Sequence, residues 1–285
     1  MKFWSVITVT YNSARRLREY WAAFAADETI EWIVVDNGSS DESVPLARSM
    51  GATVIESGIN LGFAGANNLG LTHATGQYVL FANPDLRVLT EDLPRLASSI
   101  ARTGGIVAPR LISPDGTFQF NGRGWPFLLR KMANRLGLTS AGGYLTELQP
   151  RALTPVVWVT GAAVAATRAV IDDLRGWDTS FFLYNEDVAL GLTARRRGVR
   201  VDVDADVTWT HGWERAPASW RWRAMMCEAS STVQFYRRHP VFLLPPMKPL
   251  EAFIDRRLAL GYEVAGSTVP PAPERRPAAI ATART

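Results

Sequence analysis

Residues 31–41 read Glu-Trp-Ile-Val-Val-Asp-Asn-Gly-Ser-Ser-Asp. After Glu31 the run is bulky and β-branched, and from Asp36 onward it consists of turn formers. A short apolar run stopped by a polar, glycine-bearing loop is the pattern of a strand covered on both faces of a parallel sheet. Asp36 then sits at the carboxyl end of that strand.

Working outward, the run 3–10 (FWSVITVT) is a second such strand, and Asn12-Ser13 is placed to cap a helix over 14–26. Asp41 directly precedes a helix that runs to about 50. A short strand follows at 52–55, a helix at 63–75 and a strand at 78–81, which Asn83-Pro84-Asp85 stops. Strand and helix thus alternate at short spacing, the pattern of an α/β, Rossmann-like, mostly parallel central sheet flanked by helices. In such sheets ligands bind beyond the carboxyl ends of the strands. Three polar loops fall there: Thr10-Tyr11-Asn12, 36–41, and Asn83-Pro84-Asp85.

Further along, a helix is expected at 91–100, a strand at 106–109 and a turn at 113–116. The stretch 120–150, rich in Gly, Arg and Leu, reads as an insertion or an acceptor-side segment. Strand character returns at 156–166, with Gly161 inside it. A loop over 175–187 leads into a helix at 188–197, and 199–206 alternates Val with Asp as a half-buried strand does. A long helix is expected at 219–239. The last residues, 264–285, are rich in Pro, Ala and Arg and are expected to be disordered.

The 285 residues suffice for one large α/β domain, and 47% hydrophobic with 20% charged residues is the profile of a soluble protein. Cys227 is the single cysteine, so no intrachain disulfide forms and a reducing cytosol fits. The N-terminal apolar run resembles a buried strand more than a signal peptide, and no stretch approaches the roughly 18 apolar residues of a membrane span. The net charge of +4 suits either a mildly basic surface or an anionic partner. No basic run of nucleic-acid-binding length is present, so nucleic acid is not expected as a partner.

The usual phosphate-binding loops are missing. The loop after the first strand, Tyr11-Asn12-Ser13-Ala14-Arg15, has no glycine, and neither a P-loop nor a G-x-S-x-G elbow occurs. A divalent cation is the remaining means of holding phosphates. Asp85, two residues past a strand end, suits a hard cation, which takes oxygen ligands and substrate phosphates together; Asn-Pro-Asp is equally good turn chemistry. Asp36 can accept from a base or a ribose hydroxyl, or simply form its turn. Glu186-Asp187 follows the aromatic segment Trp177, Phe181, Phe182 and Tyr184. Apolar neighbours would raise a carboxylate toward a useful general-base pKa, while an acidic pair also suits a helix N-terminus. His211 is a ligand or a structural residue; His73 and His239 carry no assigned role.

In this order these residues resemble the family 2 glycosyltransferases of the GT-A fold, especially the bacterial rhamnosyltransferase-like branch. The matching segments are Val9-Thr10-Tyr11-Asn12-Ser13, Val34 to Asp41, Asn60-Leu61-Gly62-Phe63-Ala64-Gly65-Ala66-Asn67-Asn68 and Asn83-Pro84-Asp85. Gly161-Ala162, Gly176-Trp177-Asp178, Phe181 to Asp187 and His211 follow. The resemblance implies an enzyme that moves a sugar, with inversion, from a nucleotide-sugar donor to a glycan or lipid-linked acceptor in cell-surface polysaccharide synthesis. dTDP-rhamnose is a candidate donor. Thr10, Tyr11, Asn12 and Asp36 would hold the nucleoside, and Asn60, Gly62 and Asn67 would line the donor pocket. Asn83 and Asp85 would replace the family's D-x-D motif, with Asp85 and His211 on Mg2+ or Mn2+. Asp187 would be the general base and Glu186 would orient the acceptor.

The domain organisation expected on this basis is a GT-A unit over 1–215, with a nucleotide-sugar half over about 1–110 and an acceptor half over about 111–215. A C-terminal helical extension covers 216–263. The chain departs from the family in lacking a second acid two positions after Asp187 and in carrying Trp177 where Phe is commoner. Trp220-Arg221-Trp222-Arg223 suits either a membrane interface or helix packing, which implies a cytoplasmic protein able to sit at the inner face of the membrane. The other classes considered were a non-catalytic nucleotide- or glycan-binding module and a sugar nucleotidyltransferase. The second would need a glycine-rich loop after the first strand.

Overall fold

The computed structural model describes residues 2–138, 143–149, 152–213 and 218–259. The first half runs β1 (Trp4–Thr10), α1 (Ala14–Arg16), β2 (Ile30–Asp36), α2 (Ser43–Ser49), β3 (Thr53–Glu56), α3 (Gly62–His73), β4 (Tyr78–Ala82), β5 (Leu86–Arg87) and α4 (Leu93–Thr103). The second half runs β6 (Ile106–Ile112), β7 (Phe118–Gln119), β8 (Gly122–Arg123), α5 (Leu128–Arg135), β9 (Leu153–Pro155), β10 (Trp158–Val159), β11 (Ala163–Thr167), α6 (Arg168–Asp173), α7 (Glu186–Arg196), β12 (Val201–His211), α8 (Ala218–Arg238) and α9 (Lys248–Ala259).

The main sheet is ordered β3-β2-β1-β4-β11-β6-β12-β5. It is parallel through β3, β2, β1 and β4 and again between β6 and β12; β11 lies antiparallel between β4 and β6. The apolar runs are continuous because both faces are covered. Val6, Trp32, Val34 and Leu80 enter the core on one face, and their neighbours Ile7, Ile33, Val35, Val79 and Phe81 enter the core on the other. Each such buried side chain contributes about 2 kcal/mol. A third core, built on Trp125, Phe127, Phe181, Phe235 and Phe242, holds α8 and α9 against the second half.

Several expectations from the sequence are corrected. The helix expected over 14–26 is α1 followed by a π-helical turn, Leu17–Trp21. The widened turn keeps Leu17, Tyr20 and Trp21 all buried, and Trp21 stacks on Trp32 at 4.7 Å. Ser13 gives α1 no side-chain cap. Asp41 serves instead: its carboxylate accepts from the N–H groups of Ala14 and Ser43, both at 3.0 Å, so one acid starts two helices. The single strand expected over 156–166 is two. Trp158–Val159 pairs with β8 in a small separate sheet, and Ala163–Thr167 joins the main one. Helix α7, expected from 188, starts at Glu186, two residues early, so the acidic pair lies within its first turn. The tail over 264–285 and the side chains of Trp220, Arg221 and Arg223 lie outside the described residues.

Candidate active site

The loops that end β1 and β2 are organised by Asp36. Thr10 and Asp36 are register partners in the β1–β2 pair. The Thr10 hydroxyl donates to Asp36 Oδ1 at 3.1 Å, and the N–H groups of Gly38 and Ser39 donate to Oδ2 at 3.2 and 2.9 Å. Asp36 is buried with both oxygens engaged. Asn12, at φ 50°, turns outward and accepts from the Ser40 N–H at 2.8 Å. Asn37 links this loop to the next: its side chain donates to Asn60 Oδ1 and Gly62 O, and accepts from the Leu61 N–H at 2.7 Å.

The segment Phe181 to Asp187 is carried over this region by α3. The Phe63 N–H donates to Phe182 O at 2.9 Å. Gly62 lies at φ 73°, and a Cβ there would stand 2.3 Å from Phe182 O, so only glycine fits. Asn68 clamps Trp177 from both sides, accepting from its N–H at 2.9 Å and donating to its carbonyl at 2.8 Å. Asn67 is buried and donates to Phe63 O within its own helix.

These loops enclose a cavity of about 560 Å³, a size that suits a small-molecule substrate. Tyr11, Asn37, Asn60, Gly62, Asn83 and Asp85 line it, as do Glu186, Asp187 and His211. Of the residues expected at the site, Thr10, Asn12, Asp36 and Asn67 are not on its wall. The cavity also brings in Arg16, Gln119, Asn121 and Arg123, which no local pattern singled out.

Asp85 and His211 meet because β5 pairs antiparallel with the end of β12, setting Leu86 opposite His211. The Asp85 carbonyl accepts from the Gly212 N–H at 2.7 Å, and Tyr20 packs so closely on Gly212 that a Cβ there would lie 2.5 Å from its hydroxyl. His211 Nε2 stands 3.4 Å from Asp85 Oδ1. Burial alone would raise the Asp85 carboxyl, but the hydrogen bond and charge of His211, with Arg16, hold it below the usual range.

The same pair has the donor set of a hard-cation site. Gln119 donates its amide N–H groups to Ser113 Oγ and the His211 carbonyl, so its Oε1 is left to accept from His211 Nδ1 at 2.7 Å. That keeps a proton on Nδ1 in either form of His211: the protonated ring donates from Nε2 to Asp85, and the neutral ring turns an Nε2 lone pair toward the same carboxylate, the form that can bind a cation. Two electron-pair donors facing each other at this distance fit Mg2+ or Mn2+, which needs few protein ligands when substrate phosphates complete the shell. Among the described residues no cluster of three acidic, His or Cys ligands occurs.

Glu186 and Asp187 are presented by two consecutive left-handed residues, Tyr184 (φ 69°) and Asn185 (φ 68°). Non-glycine residues in this region are strained and persist where the surroundings fix them. Lys131 does so, reaching from α5 to donate to Asn185 Oδ1 at 2.9 Å. Glu186 is buried and its Oε2 has no hydrogen-bond partner. Burial, then the charge of Asp187, pushes its carboxyl well above the usual range. Burial also raises Asp187, although the N–H groups of Val188 and Gly161 and the charges of Lys131 and Arg123 act against it. The cavity thus joins an ionised carboxylate facing an imidazole to a carboxyl pair whose protonated form burial favours, the raised pKa range that suits proton exchange with a substrate.

The sequence model of glycosyl transferase family 2 matches residues 5–152. The Haloferax volcanii hexosyltransferase Agl10 of low-salt glycan biosynthesis is 27% identical over 202 residues, covering 69% of this chain and 63% of that protein. The N-acetylglucosaminyl-diphospho-decaprenol L-rhamnosyltransferase of Mycobacterium tuberculosis is 27% identical over 211 residues, covering 65% of this chain and 68% of that protein. Among solved structures, the mannosyltransferase PcManGT from Pyrobaculum calidifontis, in complex with GDP-Man and Mn2+, superposes with a TM-score of 0.58 at 21% identity. The match covers 90% of this chain and 69% of that one.

Proposed function

The chain belongs to glycosyl transferase family 2, and on that premise we propose that it transfers a sugar from a nucleoside-diphosphate sugar to a hydroxyl of a glycan or lipid-linked acceptor, with inversion. Its architecture is the GT-A fold. The observation that carries the proposal is the joining, in one cavity, of the Asp85–His211 pair with buried Glu186 and half-buried Asp187. dTDP-rhamnose is the first donor to test and an N-acetylglucosaminyl-diphospho-lipid the first acceptor, because the mycobacterial relative's name carries both an L-rhamnosyl group and that acceptor.

In this reading Tyr11, Asn60, Gly62 and Asn83 contact the donor within the half over about 1–110. Thr10, Asn12, Asp36 and Asn67 fix the loops that present them. Asp85 and His211 would hold Mg2+ or Mn2+, whose charge stabilises the leaving diphosphate. Asp187, in its ionised form, takes the proton of the attacking acceptor hydroxyl. Glu186, kept protonated by burial, donates a hydrogen bond that orients the acceptor. The acceptor half spans about 111–215, and the helical extension begins near 216.

Peripheral contact with the inner face of the cell membrane belongs to the same proposal. Among the described residues no helix is long and apolar enough to cross a membrane. Leu129 and Met132 on α5, Leu136 just after it, and Trp222, Met225 and Met226 on α8 are exposed, which suits an interfacial surface. Failure to sediment with anionic liposomes at low salt would remove this part.

The deciding experiment is a panel of nucleotide sugars, screened by thermal shift with Mg2+ or Mn2+ and then by turnover. The donor that binds raises Tm by mass action, and EDTA abolishes transfer. Full activity in excess chelator would take the cation role from Asp85 and His211, and no stabilisation by any nucleotide sugar would defeat the reading.

A further inference from the structure

The acceptor side of the cavity holds a cation without a counter-ion. Arg123 sits on β8, with its backbone fixed on both sides. Its carbonyl accepts from the Val157 N–H at 2.8 Å, and the neighbouring Gly124 carbonyl accepts from Trp158 Nε1 at 3.0 Å. The guanidinium lies over the Tyr144 ring, 5.4 Å from its centre, and lines the cavity. Its Nε is buried and has no hydrogen-bond partner. The other cations of this region are engaged: Arg130 with Glu251, Lys131 with Asn185 and Arg135 with Glu228.

A guanidinium cannot shed its proton to escape burial. Arg123 is half-buried with its Nε fully enclosed, and a charge partly removed from water without a paired acid is unfavourable. Asp187 is close enough for its charge to be felt, yet it forms no ion pair with Arg123, and burial biases that acid toward its neutral form. A cation kept under these conditions has its counter-ion delivered by a ligand. Arg123 is not among the charges that act on Asp85, which are those of His211 and Arg16, so we assign it to the acceptor rather than to the donor diphosphate. Arg123 belongs with Asp187, where the acceptor hydroxyl is activated.

Resting on the proposed glycosyl transfer, we propose that Arg123 is the anion-binding residue of the acceptor subsite and takes a phosphate of a lipid-linked acceptor. The planar fork of the side chain suits two phosphate oxygens, and its fixed strand gives it one position. The surroundings place the phosphate on a lipid. Phe182, Tyr184 and Trp213 line the cavity and are exposed, and Ala224 lines it from α8 beside exposed Met225 and Met226. An acceptor with its sugar at Asp187 and its phosphate at Arg123 thus has an apolar path for its chain.

The test compares N-acetylglucosaminyl-diphospho-farnesol with octyl N-acetylglucosaminide, a neutral acceptor bearing the same sugar, in native protein, Arg123→Gln and Arg123→Lys. Arg123→Gln should raise KM for the diphosphate acceptor at least tenfold, the loss expected for a hydrogen bond to a charged group. KM for the octyl glycoside and for the nucleotide sugar should not change, and Arg123→Lys should recover part of the loss. Inorganic pyrophosphate should compete with the diphosphate acceptor, and less well in Arg123→Gln.

Equal losses on both acceptors would overturn the proposal. A raised KM for the nucleotide sugar would move Arg123 to the donor side, and a shifted acid limb with unchanged acceptor KM would make it a tuner of Asp187; either result also overturns it. The proposal stands apart from turnover through a binding arm: the diphospho-farnesol acceptor should raise Tm of the native protein and leave that of Arg123→Gln unmoved. Equal stabilisation of both would sink it even if no donor is ever found. Should Arg123→Gln fail to fold, Arg123→Lys carries the same comparison with a smaller effect.

Discussion

Asp36 and Asp187 are both enclosed acids at the start of a loop or helix on the ligand side of the sheet, and the protein treats them in opposite ways. Asp36 receives three hydrogen bonds shared between its two oxygens. The Glu186–Asp187 pair receives little: Glu186 Oε2 has no partner, and Asp187 accepts from the Gly161 N–H at 3.3 Å and from the Val188 N–H beside it. A saturated acid is a building element. An under-bonded one is costly to keep, and the hydrogen bonds it lacks are available to a substrate. The difference separates the residues that shape the cavity from those that act in it.

The largest test of this contrast is Asp187→Asn. Transfer should fall by about 100-fold or more, as for loss of a general base, while the thermal shift with donor persists. Because burial disfavours the charge at this position, the amide should leave the unliganded Tm unchanged or higher. A variant that turns over at near-native rate would refute the assignment of the base.

Asp36→Ala should do the reverse. Loss of a carboxylate that takes three buried hydrogen bonds should cost about 3 kcal/mol of stability by urea unfolding, with the acid limb of the pH profile unmoved. An Asp36→Ala protein of native stability but no activity would break the comparison.

His239 supplies a third kind of buried ionisable group, one kept neutral. Burial, aided by Arg196 and Arg238, pushes its imidazole down to about 4. Its folded pKa is thus below the unfolded value of about 6.5. Its contribution to stability is complete above about pH 6.5 and is lost as pH falls toward 4, on the order of 3 kcal/mol. His239→Leu, which keeps an apolar group against Phe235 and Phe242, should remove that part of the acid destabilisation. An unchanged pH dependence would show that other groups cause it.

The smallest effect is expected from Lys131→Met. Lys131 lowers the Asp187 pKa, so its removal should move the acid limb of kcat/KM to higher pH, by about one unit or less. A shift to lower pH would mean that Lys131 does not act on Asp187 through its charge.

The first hundred residues were legible because their information is local. Apolar, β-branched runs such as 31–35 and 78–81 have the length and composition of doubly covered strands, and Asn83-Pro84-Asp85 stops one of them at the ligand side. The family resemblance then pointed to Asp85, His211 and the Glu186–Asp187 pair, which the structure brings to one cavity. What stayed hidden is long-range. Gln119 reaches His211 across 92 residues, and Lys131 reaches Asn185 across 54. Arg123 is defined by what is absent around it, which no string of letters displays. The break at 160–162 was marked only by Gly161, and one glycine does not reveal that the segment before it pairs with β8 rather than with the main sheet. The π-helical turn was missed for a related reason: its adjacent buried aromatics, Tyr20 and Trp21, answer to the sheet and the Asp85 loop beneath them rather than to helical spacing.

The Asn68–Trp177 clamp carries a temporal consequence. It joins residues 109 positions apart, so it closes only after both halves of the chain have left the ribosome and folded. A growing chain can build the Asp36 loop early, yet the Asn83 loop makes a hydrogen bond from the Asn83 N–H to the Ala162 carbonyl that must wait for the second half. The Asp85 loop waits longer still, because its partners His211 and Gly212 follow Asp187 in the chain, so on the proposed roles both halves of the site are completed together in one late step.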